Sequence, residues 1–270
     1  MVRVFFIFIF IIKLSYGDLL EDKIKSLVSE ITYEKHYKLI KKIFQNREDY
    51  YLCENKVDMI KVIKNLKENG LLNLFFDSPK KNHITFETNS NPVLFMKIIE
   101  DNLRNLGYYY FMSDEIRYDE NAFGWKISFV SEYTLDPEIF SQFLIKNGCE
   151  VLDIVREDES TWRYVINVDN ARLNATKLLL NEKIRLKKPL NDYWLIVKEG
   201  KKISIASYGG NRWYPKVTIY DKNLHVLKIY KKKRKTDWLV FYLPANAYYI
   251  KISDIFTLSN IKYGLRVTLE

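Results

Sequence analysis

Two stretches of this chain repeat one another, and that repeat constrains the fold more than any other feature. NPVLFMKIIEDNLRNLGY begins at Asn91 and DPEIFSQFLIKNGCEV begins at Asp136. Each opens on a residue suited to capping a helix. Each continues with a proline, whose missing N–H is harmless in the first turn and whose fixed φ fits there. Each places a phenylalanine four residues after the cap, Phe95 and Phe140, and each stops at a glycine, Gly107 and Gly148, suited to the left-handed position after a helix. The pattern predicts strands over 108–116 and 151–155, acidic turns at 119–121 (DEN) and 157–160 (EDES), and Trp-led strands over 125–133 and 162–168. With an opening strand at 84–88, the order reads β-α-β-β-α-β-β.

That order resembles a ferredoxin-like (split βαβ) sandwich with one extra C-terminal strand, over residues 81–170. The resemblance implies two helices on one face of an antiparallel sheet, burying Phe95, Ile98, Ile99, Leu103, Phe140, Phe143 and Leu144. Similar modules in bacterial envelope proteins serve as assembly or docking domains, so it implies scaffolding and carries no activity with it.

Residues 18–80 read as a helical segment. Leu20, Ile24, Leu27 and Ile31 recur at three- and four-residue spacing, and Tyr37, Ile40 and Phe44 continue a stripe. Asn55 is a cap candidate for a further helix carrying Met59, Ile60, Ile63 and Leu66, with Gly70 as its stop. Residues 171–191 read as a linker, with a short helix around Leu173, Lys177, Leu178 and Leu179 and a basic end (RLKKP).

From 192 to 270 the pattern changes to short strands with turn punctuation. Strands are expected at 193–197, 202–207, 216–221, 225–231, 238–243, 248–254 and 263–269, which together make an antiparallel β-sandwich. A Gly-Gly-Asn loop with Trp213 and Pro215, a YDKN turn, a Trp-led strand, LPANAYYIKISD and a closing YGLRVTL resemble the pre-peptidase C-terminal type of sandwich. Such domains accompany secreted bacterial enzymes and are not themselves catalytic. The fold class expected overall is α+β: a helical N-terminal segment, a ferredoxin-like α/β sandwich and a C-terminal antiparallel β-sandwich.

The first seventeen residues have the layout of a secretory signal peptide. Arg3 gives a positive start, residues 4–12 (VFFIFIFII) are an unbroken apolar run, and Ser15-Tyr16-Gly17 supplies a cleavage site. Nine apolar residues fall short of the roughly 20 that span a bilayer. Cleavage after Gly17 leaves Asp18 as the mature terminus, and an uncleaved membrane anchor is the other reading. The expected location is the periplasm or the secreted fraction. A formal charge of +9, or +7 without Arg3 and Lys13, suits an anionic partner. It equally suits the lysine-rich composition that an AT-rich genome gives. Cys53 and Cys149 allow a single pairing, or burial of Cys149 as a small hydrophobe.

No motif for a serine nucleophile, a zinc cluster or a phosphate cradle is present in the sequence; His36, His83 and His225 lie far apart along it. The acidic turns read as solvated hairpins or as Ca²⁺ or acid–base candidates. Two stretches read as possible binding surfaces. Lys231, Lys232, Lys233, Arg234 and Lys235 are five consecutive cations that can meet anionic lipid headgroups, or simply solvate a loop that blocks a sheet edge. Arg212, Trp213 and Tyr214 offer an aromatic platform to a sugar or peptide, or a cap on the sandwich core. The expected function is non-enzymatic: an exported binding or scaffold protein acting on an envelope protein, anionic lipid or polysaccharide. No cofactor, no metal, no nucleic acid and no transmembrane span in the mature chain are expected. A polysaccharide-binding role for the sandwich is the alternative, and a hydrolase with a dispersed site the third.

Overall fold

Three short helices open the described chain, the first two separated by a serine that interrupts the apolar stripe and the last two at His36. The computed structural model describes residues 19–119 and 122–270, so the segment read as a signal peptide and the part of the expected DEN turn beyond Asp119 lie outside the described residues. Helix α1 (Leu19–Leu27) buries Leu20, Ile24 and Leu27. Ser29 then caps α2 (Glu30–Lys35), its side chain accepting the Thr32 N–H at 3.2 Å. The cap resets the helical phase, so Ile31, expected in the stripe, is 81% exposed. Helix α3 (Tyr37–Ile43) continues the segment and buries Ile40, whereas Tyr37 is exposed.

A hairpin of β1 (Tyr51–Cys53) and β2 (Lys56–Val57) follows, with Asn55 in its turn. The cap of α4 (Met59–Glu68) is therefore Asp58 rather than Asn55, its carboxylate accepting the Lys61 N–H at 3.0 Å. Both cysteines are free thiols; Cys53 is exposed on the hairpin, while burial pushes the Cys149 thiol up to about 12.

The duplicated block builds the second sheet. Strand β3 (Phe75–Thr88), α5 (Pro92–Asn105), β4 (Met112–Asp119), β5 (Ala122–Tyr133), α6 (Pro137–Lys146), β6 (Glu150–Arg156) and β7 (Thr161–Asn167) follow in order. The sheet order is β4-β5-β3-β7-β6, which sets one hairpin of the repeat on each side of β3. β5 runs antiparallel to β3 and β7 parallel to it, as two copies related by a two-fold axis through β3 would. The sheet is accordingly mixed, not purely antiparallel as expected. Gly107 and Gly148 both take positive φ, 94° and 77°, as the repeat requires. A Cβ on Gly148 would meet the Asn170 carbonyl oxygen at 2.7 Å, so that position excludes a side chain on two grounds.

Phe95 and Phe140 are fully buried, with Ile98, Ile99, Leu103 and Leu144; Phe143 is only half-buried. Phe86 is the centre of this core, its ring 5.5 Å from Phe140 and 5.6 Å from Tyr164. Helix α4 packs beside α6, and α1 packs on β6, so the helical segment extends the layer over the same sheet. Lys67 of α4 pairs with Asp136 at 2.6 Å and Glu138 at 2.9 Å at the start of α6.

The segment read as a linker helix is extended instead. It forms β8 (Thr176–Leu178) and β9 (Lys183–Leu186), which bury Leu178 and Leu186 in the C-terminal core. With β10 (Tyr193–Val197), β11 (Lys202–Ser207), β12 (Pro215–Tyr220), β13 (Val226–Lys231), β14 (Trp238–Tyr242), β15 (Tyr249–Asp254) and β16 (Leu265–Leu269), they make two sheets, β13-β12-β15-β10-β8 and β14-β11-β16-β9. All seven strands expected here are present, and the pairing is antiparallel except where β8 joins β10. The chain is thus α+β. The sandwich is fastened to the middle sheet by polar and aromatic contacts. Tyr249 Oη accepts the Leu173 N–H at 3.1 Å, and Lys97 of α5 lies 5.5 Å from the Trp194 ring, which stacks on Tyr220. No described helix is long and apolar enough to cross a membrane.

Candidate functional site

The two stretches singled out in the sequence meet at one end of the C-terminal sandwich, but they do not form one platform. Asn211 is buried and organises the first stretch: its Nδ2 donates to the Gly264 carbonyl at 2.8 Å, and its Oδ1 accepts the Tyr263 N–H at 3.0 Å. Trp213 follows, with no exposed surface, its indole N–H donating to the Ser253 carbonyl at 3.0 Å. The aromatic-platform reading is corrected at this residue. A ring closing the core between two sheets has no face left for a ligand. Arg212 is exposed, and Tyr214 is half-buried with its ring edge-on to Phe256 at 4.9 Å. Asp254 holds this corner, accepting N–H bonds from Tyr214 at 2.7 Å and Phe256 at 2.8 Å.

The basic run is pinned to that corner. Lys231 ends β13, Lys232 donates its backbone N–H to the Pro215 carbonyl at 3.0 Å, and Thr236 donates to the Trp213 carbonyl at 2.9 Å. Lys233, Arg234 and Lys235 are exposed between those two bonds. Lys235 pairs loosely with Asp237 at 3.6 Å, and among the described residues Lys231, Lys232, Lys233 and Arg234 have no acidic partner. The loop is held in place while most of its charge is left uncompensated.

Several other polar clusters are paired within the fold. On the open face of the middle sheet Glu87 lies 3.5 Å from Arg163 and 3.8 Å from Arg117, and Glu157 pairs with Arg163 at 3.2 Å. In the EDES turn, Glu159 pairs with Lys80 at 2.5 Å. Burial pushes the Asp158 carboxyl up, but hydrogen bonds from Ser160 and Thr161 outweigh it and hold the group below its ordinary value. No group of three or more metal-ligating side chains occurs among the described residues. His83 faces Asp114 at 3.3 Å, and His225 faces Asp221 at 2.9 Å. A cavity of about 580 Å³ lies between the α1–α2 junction and the β6–β7 turn. Arg156 on its wall is committed to the fold: it donates to the carbonyls of Leu27 at 3.0 Å and Asp158 at 3.2 Å and lies over Trp162.

One surface was not legible beforehand. The outward positions of β14 are Trp238, Val240 and Tyr242, exposed by 63%, 43% and 71%. In WLVFYL an unbroken apolar run hides the alternation, so nothing in the sequence separates the outward Trp238 from the inward Leu239 and Phe241. Beside them on the same sheet, Arg185 of β9 and Arg266 of β16 are register partners, and Tyr208 lies between their guanidinium groups at 4.7 and 5.2 Å.

No protein-family model matches the chain, and no curated protein does. Among solved structures, the chain is similar to one from the crystal structure of accessory secretory protein 1, 2 and 3 of Streptococcus pneumoniae. That similarity has a TM-score of 0.20 and 15% identity, and covers 38% of this chain and 90% of the other. At that level it bears on neither fold nor function.

Proposed function

We propose that this chain is an exported, non-enzymatic binding or scaffold protein that engages an envelope component through its C-terminal sandwich. The observation that carries the proposal is the pinned basic loop. Its backbone is fixed to the Trp213–Pro215 segment by two hydrogen bonds while four of its five cations lack an acidic partner among the described residues. A loop that only solvated a sheet edge would gain nothing from being held rigid, whereas a binding loop held in advance loses less conformational freedom on contact. The resemblances of residues 81–170 to ferredoxin-like modules and of 192–270 to pre-peptidase C-terminal domains support a docking role in the envelope. The signal-like segment supports export, with the periplasm or the secreted fraction as the location.

Sedimentation of the full chain with isolated envelopes at low salt tests this reading. Retention that is released by rising salt supports it. A chain that stays in the supernatant, or that is recovered full-length from the cytosol instead of starting at Asp18, contradicts it.

A further inference from the structure

The outer face of the four-stranded sheet carries two kinds of side chain in separate rows. Strand pairing sets Trp238 opposite Ala206, Ala206 opposite Arg266 and Arg266 opposite Arg185. An exposed indole, a small residue and two guanidinium groups therefore lie in one line across the sheet. One position pair further along, Val240, Ser204 and Thr268 are aligned in the same way. Ala206 and Ser204 on β11 thus lie low between the β14 row and the cations beyond, and Lys202, opposite Tyr242 and paired with Glu270 at 2.7 Å, continues the β11 row.

Two features of this face ask for a ligand. Like charges directly opposite on neighbouring strands destabilise a sheet, yet neither Arg185 nor Arg266 has an acidic partner among the described residues. Tyr208 between them supplies only the weak attraction of a ring face for a cation. The second feature is the exposed aromatic row. Trp238 and Tyr242 are four residues apart on one face of a strand, a span of about 14 Å, so only an extended ligand reaches both.

From this arrangement, and resting on the binding role argued above, we infer that the outer face of β14-β11-β16-β9 binds an anionic polysaccharide along β11. Its sugar rings stack on Trp238 and Tyr242, and its acid groups meet Arg266 and Arg185. The planar guanidinium fork matches a carboxylate, sulfate or phosphate with two parallel hydrogen bonds. Indole and phenol rings offer flat apolar faces with a polar edge, which suits the mixed surface of a sugar. An uncharged glycan leaves the two arginines unanswered. A bilayer fits less well, because the apolar side chains form a single row beside a polar floor rather than a protruding patch. The face is continuous with the basic loop through the bond from the Ser207 N–H to the Asp237 carbonyl at 2.9 Å.

The test uses the full chain with polygalacturonate as the anionic probe, dextran as its uncharged counterpart and phosphatidylglycerol vesicles as the lipid arm. The double variant Arg185→Ser/Arg266→Ser and the single variant Trp238→Ala are each expected to bind polygalacturonate at least tenfold more weakly. Thermal unfolding should be unchanged in Trp238→Ala and unchanged or raised in the double variant, which relieves the opposed charges. All three residues are exposed, so folding is not at stake. Vesicle binding should be the same in the double variant and the wild type. The inference is overturned if wild type prefers dextran or shows no preference, if both variants keep full affinity for polygalacturonate, or if the arginine dependence appears only on vesicles. Envelope sedimentation of the wild type separates the two proposals. Retention there without polygalacturonate binding sinks this inference and leaves the binding role standing, whereas absence of both removes both.

Discussion

Thr236 donates its backbone N–H to the Trp213 carbonyl at 2.9 Å, so the end of the basic loop hangs on a residue whose ring lies wholly inside the sandwich core. Core packing and the geometry of the charged surface are coupled at this point. The residue that resembled a ligand platform acts instead as the post to which a charged loop is tied.

Trp213→Ala should therefore cost about 3–5 kcal/mol, as large-to-small changes of buried aromatics do. Trp213→Phe keeps most of the ring but leaves the Ser253 carbonyl without its donor, at a cost of about 1–3 kcal/mol. Urea unfolding followed by near-ultraviolet circular dichroism measures both. A loss below about 1 kcal/mol for the alanine variant, typical of a surface change, would show that the ring is not closing the core.

The repeat makes a paired expectation for the middle sheet. Phe95 and Phe140 occupy equivalent places in the two copies and both are fully buried, so Phe→Ala at either should cost about 3–5 kcal/mol. Phe95 meets Phe123 edge-on at 6.0 Å and Phe140 meets Phe86 and Tyr164, so each loses ring contacts as well as area. Denaturant midpoints of the two variants would expose an unequal repeat: one large loss beside one negligible loss contradicts the equivalence.

Acid should loosen the N-terminal helices first through Glu21. Hydrogen bonds from Lys41, Tyr33 and Lys25 hold its carboxyl down, from the usual 4.5 to about 2. A depressed carboxyl contributes stability above its unfolded value and loses it as the pH falls, here between about 4.5 and 2. Glu21→Gln should lower stability at neutral pH and flatten the decline across that window. Only part of the slope disappears, because Asp158, Asp192 and Asp221 are also held low. An unaltered pH profile in the glutamine variant would mean that the Glu21 contacts contribute nothing net.

Much of the fold was legible because local chemistry and tertiary packing agree. Pro92, Pro137, Gly107 and Gly148 punctuate two helices in the sequence and do so in the structure. Where the reading failed, a distant partner decided. Leu173, Lys177 and Leu178 have helical spacing, but β10 and β16 offer open edges that draw the segment out into strands β8 and β9. At Ile31 a serine cap two residues earlier overrode the apolar stripe. For the candidate site, the basic run was visible as charge alone, whereas its attachment to Trp213 and Pro215 depends on long-range strand pairing. The arginine pair and the outward Trp238 depend on it too, since Arg185 and Arg266 lie far apart along the chain and meet only through β-sheet register.

The most direct measurement of the central claim compares wild type with a chain in which Lys231, Lys232, Lys233, Arg234 and Lys235 are all replaced by serine. Both are sedimented with isolated envelopes at low salt, and both are melted. The account predicts weaker retention of the variant with nearly unchanged Tm, since these side chains are largely exposed and the loop is held by backbone bonds that serine preserves. Raising the ionic strength should erase the difference, because exposed charges are screened over about 8 Å at physiological salt. Equal retention of the two chains at low salt would contradict the account and leave the loop as a plain connection between β13 and β14.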